Sequence, residues 1–133
     1  MVIYDNYKKA LDSFISRSSD KSVNLFAVLK MDELIDKWSV LLAADWITED
    51  NRKENFNLLA DVLTKTLDDK EIYEIARVGV FGTNFHLAEL FLEKFQTGQH
   101  IKEDAQINGN VIHEGYILIC EKTVNTNQTE LIR

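Results

Sequence analysis

The sequence predicts an α+β fold, a mostly helical single domain of five or six helices with a small C-terminal antiparallel β-hairpin. Three observations carry this. Apolar residues recur at three-four spacing from the N-terminus to about Gly98. Proline is absent from all 133 residues, which fits helices joined by short connections. Beyond Gly98 the pattern changes: Asn108-Gly109, a strong hairpin signal, precedes the apolar run Tyr116-Ile117-Leu118-Ile119-Cys120.

The elements follow in order. Tyr7, Ala10, Leu11, Phe14 and Ile15 mark one face of a helix over 5–17. Ser18-Ser19-Asp20 supply a loop, and Ser22 suits the cap of a second, short helix holding Val23, Phe26, Ala27 and Leu29. The continuous run Leu25 to Leu29 also fits a strand. Leu34, Ile35, Trp38, Leu41 and Leu42 predict a helix over 32–44, with Asp32 and Glu33 in its first turn. Asp45 and Trp46 interrupt it. Thr48 is placed to cap the next helix, which runs to Leu67 on Phe56, Leu59, Val62 and Leu63.

Asp68 or Asp69 begins another helix, with Ile72, Ile75, Ala76 and Val78 inward, and Gly79 and Gly82 bracket a turn. Thr83 or Asn84 caps a helix to about Gln96, stopped at Gly98. That helix is apolar around most of its circumference, which predicts a central place in the core. Its polar stripe is His86, Glu89, Glu93 and Gln96. Residues 1–121 read as one globular domain and 122–133 as a polar tail.

Charge is unevenly placed. Residues 31–74 hold twelve Asp or Glu and five Lys or Arg, a balance equal to the whole chain's −7. This acidity argues against nucleic acid, whose binding needs Lys and Arg to neutralise phosphates, and against an anionic membrane surface. It permits a basic protein partner. The single cysteine, Cys120, excludes an internal disulfide and a cysteine-built zinc site. With no signal-peptide pattern at the start, the expected setting is cytoplasmic.

No arrangement of residues commits the chain to a reaction. His86, Glu89 and Glu93 share a helix face but lack the further carboxylates of a di-metal bundle. His113-Glu114 with Cys120 suggests a base and a nucleophile, yet a cysteine in an apolar strand is usually inert core. Gly79-Val80-Phe81-Gly82 lacks the Lys and Ser/Thr of a phosphate loop. Catalytic residues, metal ligands and cofactor contacts are therefore all expected to be none.

The segment Asp45 to Glu54 is the best candidate. It sets Trp46 and Ile47 among Asp45, Glu49, Asp50 and Glu54, with Asp36 and Asp61 as expected neighbours. An aromatic anchor ringed by carboxylates suits a basic surface. The competing reading is that Trp46 and Ile47 plug a junction while the acids favour a helix start.

Short length, acidic balance, one free cysteine, an Asn/Thr-rich end and this acidic-aromatic stretch together resemble the small immunity proteins of bacterial toxin systems. The resemblance is one of profile and carries over no residue. It implies an inhibitor that covers a basic toxin or nuclease. The alternatives are a small-molecule-binding protein or enzyme with a pocket near His86, Glu89 and Glu93, and a homodimeric accessory protein whose hairpin pairs across a twofold axis.

Overall fold

The computed structural model describes residues 2–31 and 37–122. Its chain order is α1 (Val2–Arg17), β1 (Leu25–Met31), β2 (Trp38–Ala44), α2 (Arg52–Thr66), α3 (Asp69–Tyr73), β3 (Ile75–Gly82), α4 (His86–Lys94), β4 (His100–Ile101), β5 (Ala105–Ile107) and β6 (Asn110–Cys120). Six strands make one mixed sheet in the order β3-β2-β1-β6-β4, with β5 also on β6. β1 runs antiparallel to β2 and β6, while β2 and β3 are parallel.

This corrects the expectation of a mostly helical domain with a small hairpin. The described residues hold four helices and a six-stranded sheet. Leu25 to Leu29 is β1 rather than a helix, Trp38 to Ala44 is β2, and the helix expected through Val78 stops at Tyr73 and gives way to β3. Gly79 and Gly82 lie in that strand, not around a turn. The expected start of the third helix, 32–36, falls outside the described residues, as does 123–133 of the tail.

The physical reason is burial on both faces. All seven residues of β2 are buried, and six of the seven in β1. Phe26, Val28, Val40 and Leu42 join Tyr7, Ala10 and Phe14 of α1 and Leu59, Val62 and Leu63 of α2 in one core. Leu25, Ala27, Leu29, Leu41 and Ala43 point to the opposite face, where Ala88, Phe91 and Phe95 cover them. A strand apolar on both sides loses its period of two and reads as a continuous run, within which helical spacing can always be found.

Other expectations hold. The helix from Asp68 is short but carries the expected cap: the Asp68 side chain accepts from the Glu71 N–H, and Glu71 from the Asp68 N–H. The Asn108-Gly109 turn has positive φ at both residues, 49° and 79°, as a tight hairpin connection demands. The bounds of α4 are a correction: Phe85, not Thr83 or Asn84, stands at its N-cap without a side-chain hydrogen bond, and it ends at Lys94 with Phe95 extended, so Gly98, at φ 84°, belongs to a later turn rather than to the helix stop. Unlike the expected central helix, α4 lies on one face of the sheet, and Phe85 before it is exposed. Among the described residues no helix is long and apolar enough to cross a membrane.

Glu71, although ionisable, is buried, because Asn6 of α1 donates to both its carboxylate oxygens at 3.0 and 2.9 Å. The same side chain thus closes a helix cap and ties α3 to α1. Replacing Glu71 by Ala is expected to cost about 2 kcal/mol, the combined scale of a lost cap and an orphaned amide. Asp69→Ala on the exposed turn should stay within about 0.5 kcal/mol. Urea unfolding of the two variants checks this.

Tyr7 lies nearby, with its hydroxyl buried and without a hydrogen-bond partner among the described residues. Burial, then the charges of Glu71 and Glu74, push its ionisation well above the ordinary phenol value. The unfolded chain releases this proton near pH 10 and the folded chain does not, so stability should fall as pH rises above about 10. Tyr7→Phe should flatten that fall without loss of stability at neutral pH, read from melting temperature against pH.

Candidate functional site

Because β2, β3 and β6 run one way and β1 the other, one end of the sheet gathers four chain segments. They are the residues before β1 and those after β2, β3 and β6. Leu25 stands opposite both Ala43 and Cys120, and Ala44 opposite Gly82. In sheets with parallel strands, the carboxyl ends are where ligand-binding crevices form.

Asn24 fastens three of the segments. It is 7% exposed. Its amide donates to the Glu121 carbonyl at 2.9 Å, and its side-chain oxygen accepts from the Asp45 N–H at 3.0 Å. The fourth segment joins through Thr83, whose hydroxyl donates to Asp45 Oδ1 at 2.5 Å. Gly82 is required here: a Cβ would stand 2.6 Å from the Ile47 carbonyl oxygen.

The loop after β2 is equally tied down. Trp46 stacks on Phe14, with ring centroids 6.1 Å apart, and its indole N–H donates to the Ser22 carbonyl at 2.7 Å. The Lys21 ammonium lies 5.0 Å from its ring centre. Asn51 accepts from the Thr48 N–H and donates to the Trp46 carbonyl. Thr48 was expected to cap α2, but Asn51 occupies the cap position. Trp46 and Ile47 thus plug the junction, with Ile47 only 3% exposed, and the loop's carboxylates are left at the surface.

Three connected depressions surround this junction. One of about 350 Å³ is lined by Asp45, Thr48, Glu49, Thr83 and Asn84. A second, of about 520 Å³, shares Thr83 and Asn84 and adds Glu89, Glu93 and Lys122. The third, of about 570 Å³, shares Asp45 and Lys122 and adds Asp20, Lys21, Trp46 and Glu121. Six carboxylates and two ammonium groups line the three, a balance of −4. The Asp45–Glu49 loop and the Glu89–Glu93 stripe, separate candidates in the sequence, therefore border one continuous acidic surface.

The remaining expected residues fall elsewhere. Asp50 and Glu54 are exposed beside this surface but line none of the depressions. Asp61 is held by Arg17 at 2.8 Å and Lys65 at 3.0 Å. Hydrogen bonds from these two cations hold its carboxyl below the usual range. Asp36 lies outside the described residues. Asp20, Asn24, Glu121 and Lys122 are not site candidates in the sequence, and Thr83 stands there only as a possible helix cap. Their only signal there is a place just beyond an apolar run, which becomes informative once the runs are known to be strands.

The chemical candidates do not assemble. His86 Nδ1 stands 4.0 Å from Glu89, both exposed, and His86 lines none of the three depressions. No group of three or more His, Cys, Asp or Glu among the described residues could hold a metal ion. His113 pairs with Asp104 at 2.9 Å, roughly 20 Å along β6 from Cys120 by strand rise. The Cys120 thiol donates toward the Phe95 and Phe91 carbonyls at 3.2 and 3.4 Å. Burial, then the Glu121 charge, raises its pKa, the opposite of a reactive thiolate. The hairpin strand β6 lies inside the sheet between β1 and the short β4 and β5, which form the rim on that side.

No protein-family model, curated protein or solved structure matches this chain.

The geometry separates support from surface. Trp46→Ala should cost about 2 kcal/mol by removing a partly buried ring, and Asn24→Ala a similar amount by stranding buried backbone groups. Asp45→Asn keeps the acceptor for Thr83 and should change stability by less than about 0.5 kcal/mol. Chemical denaturation of the three variants orders them.

Proposed function

We propose that this chain is a protein-binding module whose acidic sheet end covers a basic protein surface, as an immunity-type inhibitor covers a toxin or nuclease. One observation carries the reading. Carboxylates from four separate segments converge on one surface whose backbone is clamped by Asn24 and the Asp45–Thr83 contact. Fixed carboxylates complement a positive surface at lower ordering cost than mobile ones. Asp45 and Glu49 lie at the centre, with Glu89, Glu93 and Glu121 extending the field to either side. Trp46 is a support for the loop, and the partner meets its edge rather than an inserted ring. The profile-level likeness to immunity proteins supplies the kind of partner, and the cytoplasm is the compartment this reading expects.

The test begins with affinity capture from the source cell, followed by binding kinetics of the captured protein. A basic partner is expected. Its association should slow roughly tenfold in the Asp45→Asn, Glu49→Gln, Asp50→Asn triple variant, and between low and high salt, with dissociation much less affected. If the triple variant binds with unchanged affinity and salt dependence, the acidic end is not the interface.

A further inference from the structure

The two edges of the sheet are built differently. One consists of β4, two residues long, and β5, three residues long. Short strands of this kind offer a partner little unpaired backbone. The other edge is β3, eight residues, which among the described residues pairs only with β2. The usual protections of an edge are proline, lysine, a covering element or brevity. The run Ile75-Ala76-Arg77-Val78-Gly79-Val80-Phe81-Gly82 has neither proline nor lysine, and its one charge is Arg77.

The exposed large apolar side chains among the described residues gather at this edge. Tyr73, 76% exposed, precedes it, and Phe85, 44% exposed, follows it. Phe56, 39% exposed, stands on α2 beside its middle. Phe56 lines two depressions that together follow the strand, one of about 370 Å³ with Ile75 and Val78, and one of about 510 Å³ with Val78 and Val80. Their charged lining is Arg52, Lys53 and Arg77 against Glu49. That is a balance of +2 on a chain of −7.

We propose that β3 is a docking edge for an extended partner segment that carries apolar and acidic side chains together on one face. Such a segment adds a strand: main-chain hydrogen bonds give affinity, and the side chains on one face give specificity. Its apolar side chains enter the groove beside Phe56, and its carboxylates meet Arg52 and Lys53. Charge decides against a second copy of this chain, because a twofold pairing of β3 edges sets one +2 groove beside another. This surface adjoins the acidic end at Glu49, which pairs with Arg52 at 3.9 Å, and is opposite to it in sign.

The test is a titration of the ¹⁵N-labelled full chain with a blocked synthetic peptide matched to the eight residues of β3, with Val and then Glu at alternate positions so that both share one face, and Thr on the other face. A peptide with Lys in place of Glu is the control. The expected result is amide shifts confined to residues 75–82 and the start of α2, from the Glu peptide alone. Binding should weaken roughly tenfold, about 1.4 kcal/mol, in the Arg52→Glu, Lys53→Glu double variant, and also in Phe56→Ser. Both variants change exposed side chains, and their melting temperatures confirm folding. Shifts elsewhere, none with millimolar peptide, or equal binding of the Lys peptide would overturn the proposal. So would protection from exchange, in the free monomer, of those amides of 75–82 that face away from β2. A concentration-dependent dimer lost in Phe56→Ser would assign the edge to a second copy and overturn it as well.

Discussion

Burial of the sheet on both faces is the constraint on which the rest of the molecule depends. Once α1 and α2 cover one side and α4 the other, the middle strands have no solvent face. A charge inside β1 or β2 would be desolvated without compensation, and the chain keeps charge out: Lys30 alone is ionisable within the two strands, and it lies near the open end of β1. Polar chemistry is thereby displaced to strand ends and outer edges. The acidic surface and the β3 groove are two consequences of one exclusion rule.

The same burial explains Asn24. A sheet end where four segments meet leaves backbone groups that no ladder pairs, and those groups are half-shielded from water. An unpaired buried amide costs about as much as a lost hydrogen bond. Asn24 carries both a donor and an acceptor on its side chain, so it satisfies the Asp45 N–H and the Glu121 carbonyl at once. Its own backbone closes further bonds to Ala43 and Glu121. An Asp would lack the donor, and a Ser would have to serve both groups from one shorter-reaching oxygen.

Local signals in the sequence were legible where they rest on backbone chemistry. The Asn108-Gly109 turn, the Asp68 cap and the amphipathic α1 and α2 all follow from single residues or from a one-sided apolar face. The sheet was legible only in part: Tyr116 to Cys120 reads as a strand and Leu25 to Leu29 fits one, but Leu25 to Leu29 and Val40 to Ala44 are apolar on both sides and carry no period that tells strand from helix. The absence of proline fits helices. It serves a sheet equally well, since proline is excluded from interior strands. The candidate site was half visible. Asp45, Trp46 and Glu49 stand out in the sequence, whereas Asp20, Glu121 and Lys122 become neighbours only through the antiparallel register of β1 and β6.

The lopsided acidity of residues 31–74 is a property of the sequence more than of the surface. Asp61 in that window is matched by Arg17 and Lys65, and Asp68 and Glu71 close a helix cap. Among the described carboxylates of the window, Asp45 and Glu49 alone line the three depressions at the sheet end. Their acidic companions Asp20, Glu89, Glu93 and Glu121 come from stretches of the chain that are nearly neutral. Meanwhile Arg52 and Lys53, inside the acidic window, supply two of the three cations of the groove along β3. Folding has therefore sorted the charges into two surfaces of opposite sign that linear order conceals. A partner responds to potential within a Debye length, about 8 Å at physiological salt, so the sorted surfaces, rather than the sequence window, determine what this chain attracts.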